Sequence, residues 1–100
     1  MDIIENSDEY QNLVEALSKE VADTIIETLK AYSVPESVVE EVKGELAFNI
    51  CSVIDGGNDL TSNGHSYTPN MAFLDDESEN LLCSVHGSFT KDYIYDFVEE

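Results

Sequence analysis

Two cysteines and two histidines are the residues of this sequence whose types could support metal binding or nucleophilic catalysis. They are Cys51, His65, Cys83 and His86. Thiolate and imidazole ligands of this kind and number can form a tetrahedral zinc site. However, Cys83 and His86 are three residues apart on a predicted strand, so their side chains leave opposite faces of the sheet. The spacing therefore favours a buried Cys83 over a zinc ligand, and we expect no metal site.

Catalysis is also disfavoured by the composition. A cysteine nucleophile requires a nearby imidazole or cation that lowers the pKa of its thiol, but the chain has four lysines and no arginine against 22 Asp and Glu. Asp75 and Asp76 could be nominated as an acid–base pair, yet a surface turn lacks the burial that tunes such groups. Residues 55–59 offer some calcium ligands without the EF-hand pattern. We predict a protein that is not an enzyme and holds no cofactor.

The formal net charge of −18 is the most unusual property of the composition, because small domains usually carry a net charge of magnitude about 2 to 8. Surfaces that bind nucleic acid or anionic lipid directly need Lys and Arg to replace counterions. The charge therefore argues against direct nucleic-acid and membrane binding. The sequence has no signal-peptide pattern and no apolar run near the roughly 18 residues of a spanning helix, so we expect a cytoplasmic protein with reduced cysteines.

A long amphipathic helix is predicted over residues 7–32. Asn6 and Glu9 have the spacing of a capping box at its start. Apolar side chains recur at steps of three and four, which is the period of one helix face. These residues are Tyr10, Leu13, Val14, Leu17, Val21, Ile25, Leu29 and Tyr32.

A second helix is predicted to begin near Pro35, which suits the first turn because it lacks an N–H group. Ser33 and Glu36 again have capping-box spacing, and Asp55-Gly56-Gly57 ends the helix. The predicted apolar stripe consists of Val39, Val42, Leu46, Ile50 and Val53.

The second half of the chain reads as a loop, two strands and a final helix. Residues 55–66 are rich in Gly, Asn, Asp and Ser, which predicts turn or loop. Residues 67–74 and 80–86 are predicted strands, joined by a charged tip over residues 75–79. Residues 88–100 have strand-type aromatics, but the spacing of Phe89, Tyr93 and Phe97 favours a helix capped by Ser88 over a third strand.

This order of elements predicts a single acidic α+β domain over residues 1–100. A helical hairpin packs on a small antiparallel sheet, and the C-terminal helix closes one side. A two-stranded sheet alone is marginally stable in water, so either the helices cover it or a partner chain extends it. A homodimer is one way to supply such an extension.

Acidic residues recur along the faces of both predicted helices and at the charged tip. At 1.5 Å rise per residue they repeat about every 5 Å, of similar order to the 3.4 Å per phosphate of one DNA strand. A basic nucleic-acid-binding groove would be attracted to such a surface. The residues predicted to contact a partner are Glu20, Asp23, Glu27, Glu36, Glu40, Glu41, Glu45, Asp75, Asp76, Glu77, Glu79 and Tyr95.

These observations predict a non-enzymatic acidic protein that occupies a basic surface of a partner, such as a nucleic-acid-binding protein or a nuclease. It would act as a nucleic-acid mimic, an immunity protein or a phage-type counter-defence inhibitor. Complementary charge would speed association, while a few desolvated anchors such as Tyr95 would give specificity. In the alternative, acidity serves only solubility, and the aromatic C-terminal segment makes the contacts of a small structural or interaction domain.

Overall fold

Two long helices, a small mixed sheet and a short C-terminal helix make up the computed structural model, which describes residues 1–5, 7–84 and 90–98. The predicted α+β class is confirmed. The helices are α1 (Asp8–Ala31), α2 (Glu36–Ile54) and α3 (Thr90–Val98). The strands are β1 (Ile3–Glu5), β2 (Leu60–Ser62), β3 (His65–Tyr67), β4 (Ala72–Leu74) and β5 (Leu81–Cys83). No helix in the described ranges has the length and apolar character needed to cross a membrane.

Helix α1 begins at a serine cap rather than at the predicted Asn6. The Ser7 side chain accepts a hydrogen bond from the Tyr10 backbone N at 3.0 Å, which satisfies one of the free N–H groups of the first turn. Asp8 and Glu9 in that turn and Lys30 in the last turn complement the helix dipole. The predicted helix is therefore confirmed, and its capping residue is corrected by one position.

Helix α2 starts without the predicted capping box. Ser33 has a φ of 58° and lies in the turn between the helices, so its side chain does not cap. Pro35 takes the cap position instead, and its carbonyl accepts from the N–H groups of Val38 and Val39. The predicted end of α2 at Asp55-Gly56-Gly57 is confirmed, because the helix stops at Ile54 with Asp55 as its C-cap. Position 56 requires glycine, since its φ is 87° and a Cβ there would lie 2.6 Å from Thr68 Cγ2.

The helical core lies where α3 packs against both α1 and α2. Its buried residues are Ala22, Ala47, Cys51, Ile94 and Val98. Small side chains on α1 and α2 allow α3 to approach closely, and Ile94 and Val98 supply most of the volume of the cluster. The predicted C-terminal helix is thus confirmed for residues 90–98, and the third strand that was its alternative is wrong for these residues. The predicted cap at Ser88 lies outside the described residues.

The buried rows of the long helices differ from the predicted apolar stripes. On α2 the buried residues are Val39, Lys43, Ala47 and Cys51, and on α1 they are Tyr10, Val14, Ser18 and Ala22. In contrast, Leu46, Ile50 and Val53 of the predicted α2 stripe are 40%, 42% and 43% exposed. At 100° per residue, their row lies roughly 80° around α2 from the buried row. The structure therefore leaves part of the predicted stripe uncovered.

A three-stranded sheet packs on the first turns of α1. The strand order is β1-β5-β4, with β1 parallel and β4 antiparallel to β5, and Ile3 aligned with Leu81. Tyr10 connects helix and sheet, because its hydroxyl donates to the Met71 carbonyl at 3.0 Å and its ring meets Phe73 edge-on at 5.5 Å. The predicted antiparallel pair is thus present, with β1 as a third strand that the sequence did not indicate.

Two predicted boundaries in this half of the chain are wrong. Residues 60–67, assigned mainly to a loop, form the β2–β3 hairpin around Asn63 and Gly64, whose φ angles of 51° and 77° suit a tight hairpin turn. The first predicted strand, 67–74, is reduced to β4, and Tyr67 belongs to β3. The second is observed as β5, while residues 85 and 86 of its predicted range lie outside the described residues.

Candidate functional site

The Cys51 thiol lies in the core between the three helices and is fully buried. Burial raises its pKa, the nearby Asp55 carboxylate raises it further, and a hydrogen bond with Thr90 acts in the opposite direction. A nucleophilic cysteine requires the reverse shift, because the thiolate is the reactive form. The environment of Cys51 therefore suits a packing side chain.

Cys83 and His65 occupy separate parts of the fold. Cys83 is half-buried on the central strand β5, and His65 is exposed on the β2–β3 hairpin. Within the described residues, no group of three or more His, Cys, Asp or Glu side chains is placed to hold a metal ion. His86, the fourth candidate ligand, lies outside those residues.

A polar cluster at the start of α3 joins all three helices. Asp55 Oδ1 accepts hydrogen bonds from the Thr90 backbone N at 2.9 Å and from its Oγ1 at 2.8 Å. The Ser18 hydroxyl on α1 lies 3.3 Å from the Thr90 carbonyl oxygen and 2.8 Å from that of Val14. The sequence suggested that Asp55 ends α2 or binds a cation, and it gave no signal that this carboxylate caps α3.

The predicted acidic contact residues lie at the surface. Asp23 is half-buried and the other ten carboxylates are exposed: Glu20, Glu27, Glu36, Glu40, Glu41, Glu45, Asp75, Asp76, Glu77 and Glu79. The described side chains form two ion pairs, Lys19 with Asp23 at 2.7 Å and Lys43 with Glu40 at 3.0 Å. Most of the acidic surface is therefore available to an external cation.

These carboxylates lie on two different parts of the fold. The charged tip joins β4 to β5, and their sheet packs on the first turns of α1. Glu36 and Glu40 lie in the first part of α2, which follows the last turn of α1. A helix of 24 residues is about 36 Å long. At the tip, Asp75 Oδ1 accepts from the N–H groups of Glu77 and Ser78, and these bonds hold the Asp75 pKa below its ordinary value. The helical acids are the larger of the two sets, with seven of the predicted contact carboxylates against four at the tip.

The aromatic residues of α3 that the structure describes point inward. Tyr93 is half-buried and its hydroxyl donates to Gln11 Oε1 at 3.1 Å, while Phe97 packs against the helical core. The side chain of Tyr95, which the sequence suggested as an anchor, lies outside the described residues. Its contact role stays a prediction.

An apolar groove runs between α1 and α2, beside the acidic residues. It consists of two adjoining depressions of ≈ 340 and ≈ 200 Å³, which share Thr24 and Ile25. The lining residues are Leu17, Glu20, Val21, Thr24, Ile25, Thr28 and Leu29 from α1 and Leu46 and Ile50 from α2. The sequence analysis placed the apolar ones on the predicted apolar faces of the two helices. The available signal was that apolar residues cover a wider arc of each helix than one neighbouring helix can bury.

Comparison of the chain with protein-family models, with curated proteins and with solved structures found no match.

Proposed function

We propose that this chain is a non-enzymatic binding protein whose acidic helical surface occupies a basic surface of a partner protein. The observation that carries the proposal is the exposure of the carboxylates along α1 and α2, with two ion pairs among the described side chains. The partner is a protein that itself binds nucleic acid, such as a nuclease. The chain then acts as a nucleic-acid mimic, an immunity protein or a phage-type counter-defence inhibitor.

Electrostatic attraction gives this mode of binding speed and selectivity. A net charge of −18 on 100 residues attracts a basic surface over a Debye length, about 8 Å at 0.15 M salt. Complementary fields raise association rates, and like charges exclude acidic competitors and nucleic acid itself. Two free thiols suit the reducing cytoplasm, where we place this function.

The helical acids Glu20, Glu27 and Glu45 provide the most direct test. We expect the triple variant E20Q/E27Q/E45Q to lose partner binding, because it removes three charges from the proposed surface. The variant D76N/E77Q/E79Q removes the same charge from the tip and serves as the matched control. Immobilised wild type and both variants would capture proteins from a lysate at about 0.15 M salt, with an unrelated protein of equal charge alongside.

The proposal expects a basic nucleic-acid-binding protein that wild type and the tip variant retain and the helix variant loses. After purification, that protein should lose nucleic-acid binding when the chain is added. Equal capture by the unrelated acidic protein, or equal loss of capture in both triple variants, would show that the charge serves only solubility. That result would favour the alternative of an interaction domain with contacts elsewhere.

A further inference from the structure

We infer that the groove between α1 and α2 binds a basic amphipathic helix of the partner protein. This inference rests on the proposed function and names the feature of the partner that the acidic surface receives. Its starting point is that the groove is apolar, open and built from two regular helices. It could therefore serve as a preformed seat for a third helix, as in other helix-in-groove interactions.

The exposed side chains of α2 have the spacing of an interface. Leu46, Ile50 and Val53 follow one another at steps of four and three and are each about 40% exposed. Single exposed apolar residues are ordinary, but a contiguous row is typical of a surface that a partner covers. Leu17, Val21 and Ile25 provide the opposite wall on α1.

The groove has the length for about three turns of a partner helix. Its lining extends from Leu17 to Leu29 along α1, which is about 18 Å at 1.5 Å per residue. A partner helix of about 12 residues spans that distance. Apolar side chains at its positions i, i+3 or i+4, and i+7 would meet the groove on a single face.

Acidic residues border the groove on both helices. Glu20 itself lines it. With 100° per residue, Glu27 lies within about 20° of Glu20 on α1, and Glu45 lies about 100° around α2 from Leu46. Asp23 and Glu41 lie further around their helices, on faces turned away from the groove. Lysine and arginine side chains that flank an apolar face could reach these borders while their aliphatic stems cover the groove walls.

This arrangement of charge selects the occupant. A second copy of this chain would bring another net charge of −18 against the same acidic borders, which opposes a homodimer through this face. A purely apolar helix would leave the border carboxylates without cations. A basic amphipathic helix satisfies both the apolar lining and the acidic borders.

Three stapled helical peptides of about 14 residues test the inference against the purified full-length chain. The first has leucines along one face and lysines on its flanks, the second is a scramble of the same composition, and the third has glutamine in place of lysine. Fluorescence anisotropy at about 0.15 M salt would give their affinities. We expect the first peptide to bind at least about tenfold more tightly than the second or third.

Two double variants of the chain locate the binding. L46A/I50A should lower the affinity for the amphipathic peptide by about tenfold or more. V38A/L74A removes exposed apolar side chains outside the groove and should leave that affinity unchanged. Thermal melts would show that all variants fold, as expected for changes at side chains that are already 38% to 57% exposed.

Other outcomes separate the groove from the charge. Equal binding of the amphipathic and scrambled peptides, both weakened by E20Q/E27Q/E45Q, would overturn the groove and leave the proposed function standing. Equal binding of the lysine and glutamine peptides, unchanged in that triple variant, would leave an apolar groove and overturn both the basic occupant and the charge-led function. A dimer in sedimentation that L46A/I50A abolishes would make a second copy the occupant and overturn the inference.

Discussion

Among single residues, Asp55 shows how one side chain joins elements that are distant in sequence. Its backbone N–H closes the last turn of α2 by donating to the Cys51 carbonyl, and its carboxylate accepts two hydrogen bonds from Thr90, the first residue of α3. The free N–H groups and positive dipole of a helix start favour a negative charge at this position. The same charge in a chain of net −18 would otherwise be repelled by its neighbours. Asp55 therefore stabilises the fold, in contrast to surface carboxylates that only repel one another.

Replacement of Asp55 by alanine should lower the free energy of unfolding by about 1 to 3 kcal/mol, because it removes a charged cap from α3. Asp59→Ala is the matched control, since Asp59 is an exposed acid of the same loop. Urea unfolding would measure both. In a double-mutant cycle, Thr90→Val should cost much less in Asp55→Ala than in wild type. Equal losses in the two aspartate variants would show that Asp55 acts only through its charge.

The Cys51 and Tyr10 side chains give stability a pH dependence on the alkaline side. Burial raises both pKa values above the ordinary 9.0 and 10.0, and nearby acidic groups add to both shifts. In this pH range the folded protein therefore keeps protons that the unfolded chain releases. The stability that these two groups contribute is complete below their ordinary pKa values and is lost as pH rises through the raised pKa values of the folded protein. The urea midpoint of Cys51→Ala and that of Tyr10→Phe should fall less steeply with pH than that of wild type. Parallel pH curves for all three proteins would contradict this origin.

Among the elements, α3 determines which faces of α1 and α2 become core. It buries Ile94 and Val98 against Ala22, Ala47 and Cys51, and so fixes the buried row of α2. In the neighbouring row, Ile50 stays 42% exposed. Ile94 and Ile50 both lie on apolar helix faces, but Ile94 belongs to the core and Ile50 to the surface.

Ile94→Ala and Ile50→Ala compare those roles with the same chemical change. We expect Ile94→Ala to lower the unfolding free energy by about 2 to 5 kcal/mol, because it leaves a cavity in a fully buried site. Ile50→Ala should cost less than about 1.5 kcal/mol, because much of the side chain already contacts water. Chemical denaturation would measure both values. Similar costs would mean that the Ile50 row is covered in solution.

The sequence predicted the elements with a readable period and missed those without one. Helices α1 and α2 followed from apolar residues at steps of three and four, and Tyr93 and Phe97 indicated a helix for α3. Strand β1 has three residues and pairs with a strand at the other end of the chain, where Asp2 N donates to Asn80 Oδ1 across 78 positions. Neither its existence nor its partner could be found from local pattern. Strands β2 and β3 are exposed throughout, so their sequences have no alternation of apolar and polar residues that would have indicated strands.

The candidate site was predictable only in its charge. Acidic side chains are almost always exposed, so the surface position of residues such as Glu27 and Glu45 followed from their type. The groove did not follow, because Leu46 and Ile50 become core or surface according to where α3 packs. That choice depends on contacts such as Asp55 with Thr90, which join residues 35 positions apart.

For the molecule as a whole, the balance between self-repulsion and a small core should make stability depend on salt. The principal extents of 46 × 37 × 20 Å mean that at about 0.01 M salt, with a Debye length of about 30 Å, charges interact across most of the structure. At about 0.15 M the length is about 8 Å, and repulsion acts only between neighbours.

Thermal unfolding should therefore move to higher temperature between these two salt concentrations. The variant D76N/E77Q/E79Q should raise the midpoint at low salt and change it much less at high salt, because it relieves repulsion that salt also screens. Differential scanning calorimetry would record both midpoints. A midpoint independent of salt would show that the net charge of −18 does not limit stability.

The position of the partner on the surface would be shown by hydrogen exchange of the chain, alone and in complex with the protein that the helix variant fails to capture. Amides of residues 17–29 and 41–50 should become more protected, because the partner's basic helix would lie along both helices over the groove. Protection confined to the sheet or to residues 75–79, with the two helical segments unchanged, would contradict recognition through this acidic, groove-bearing face.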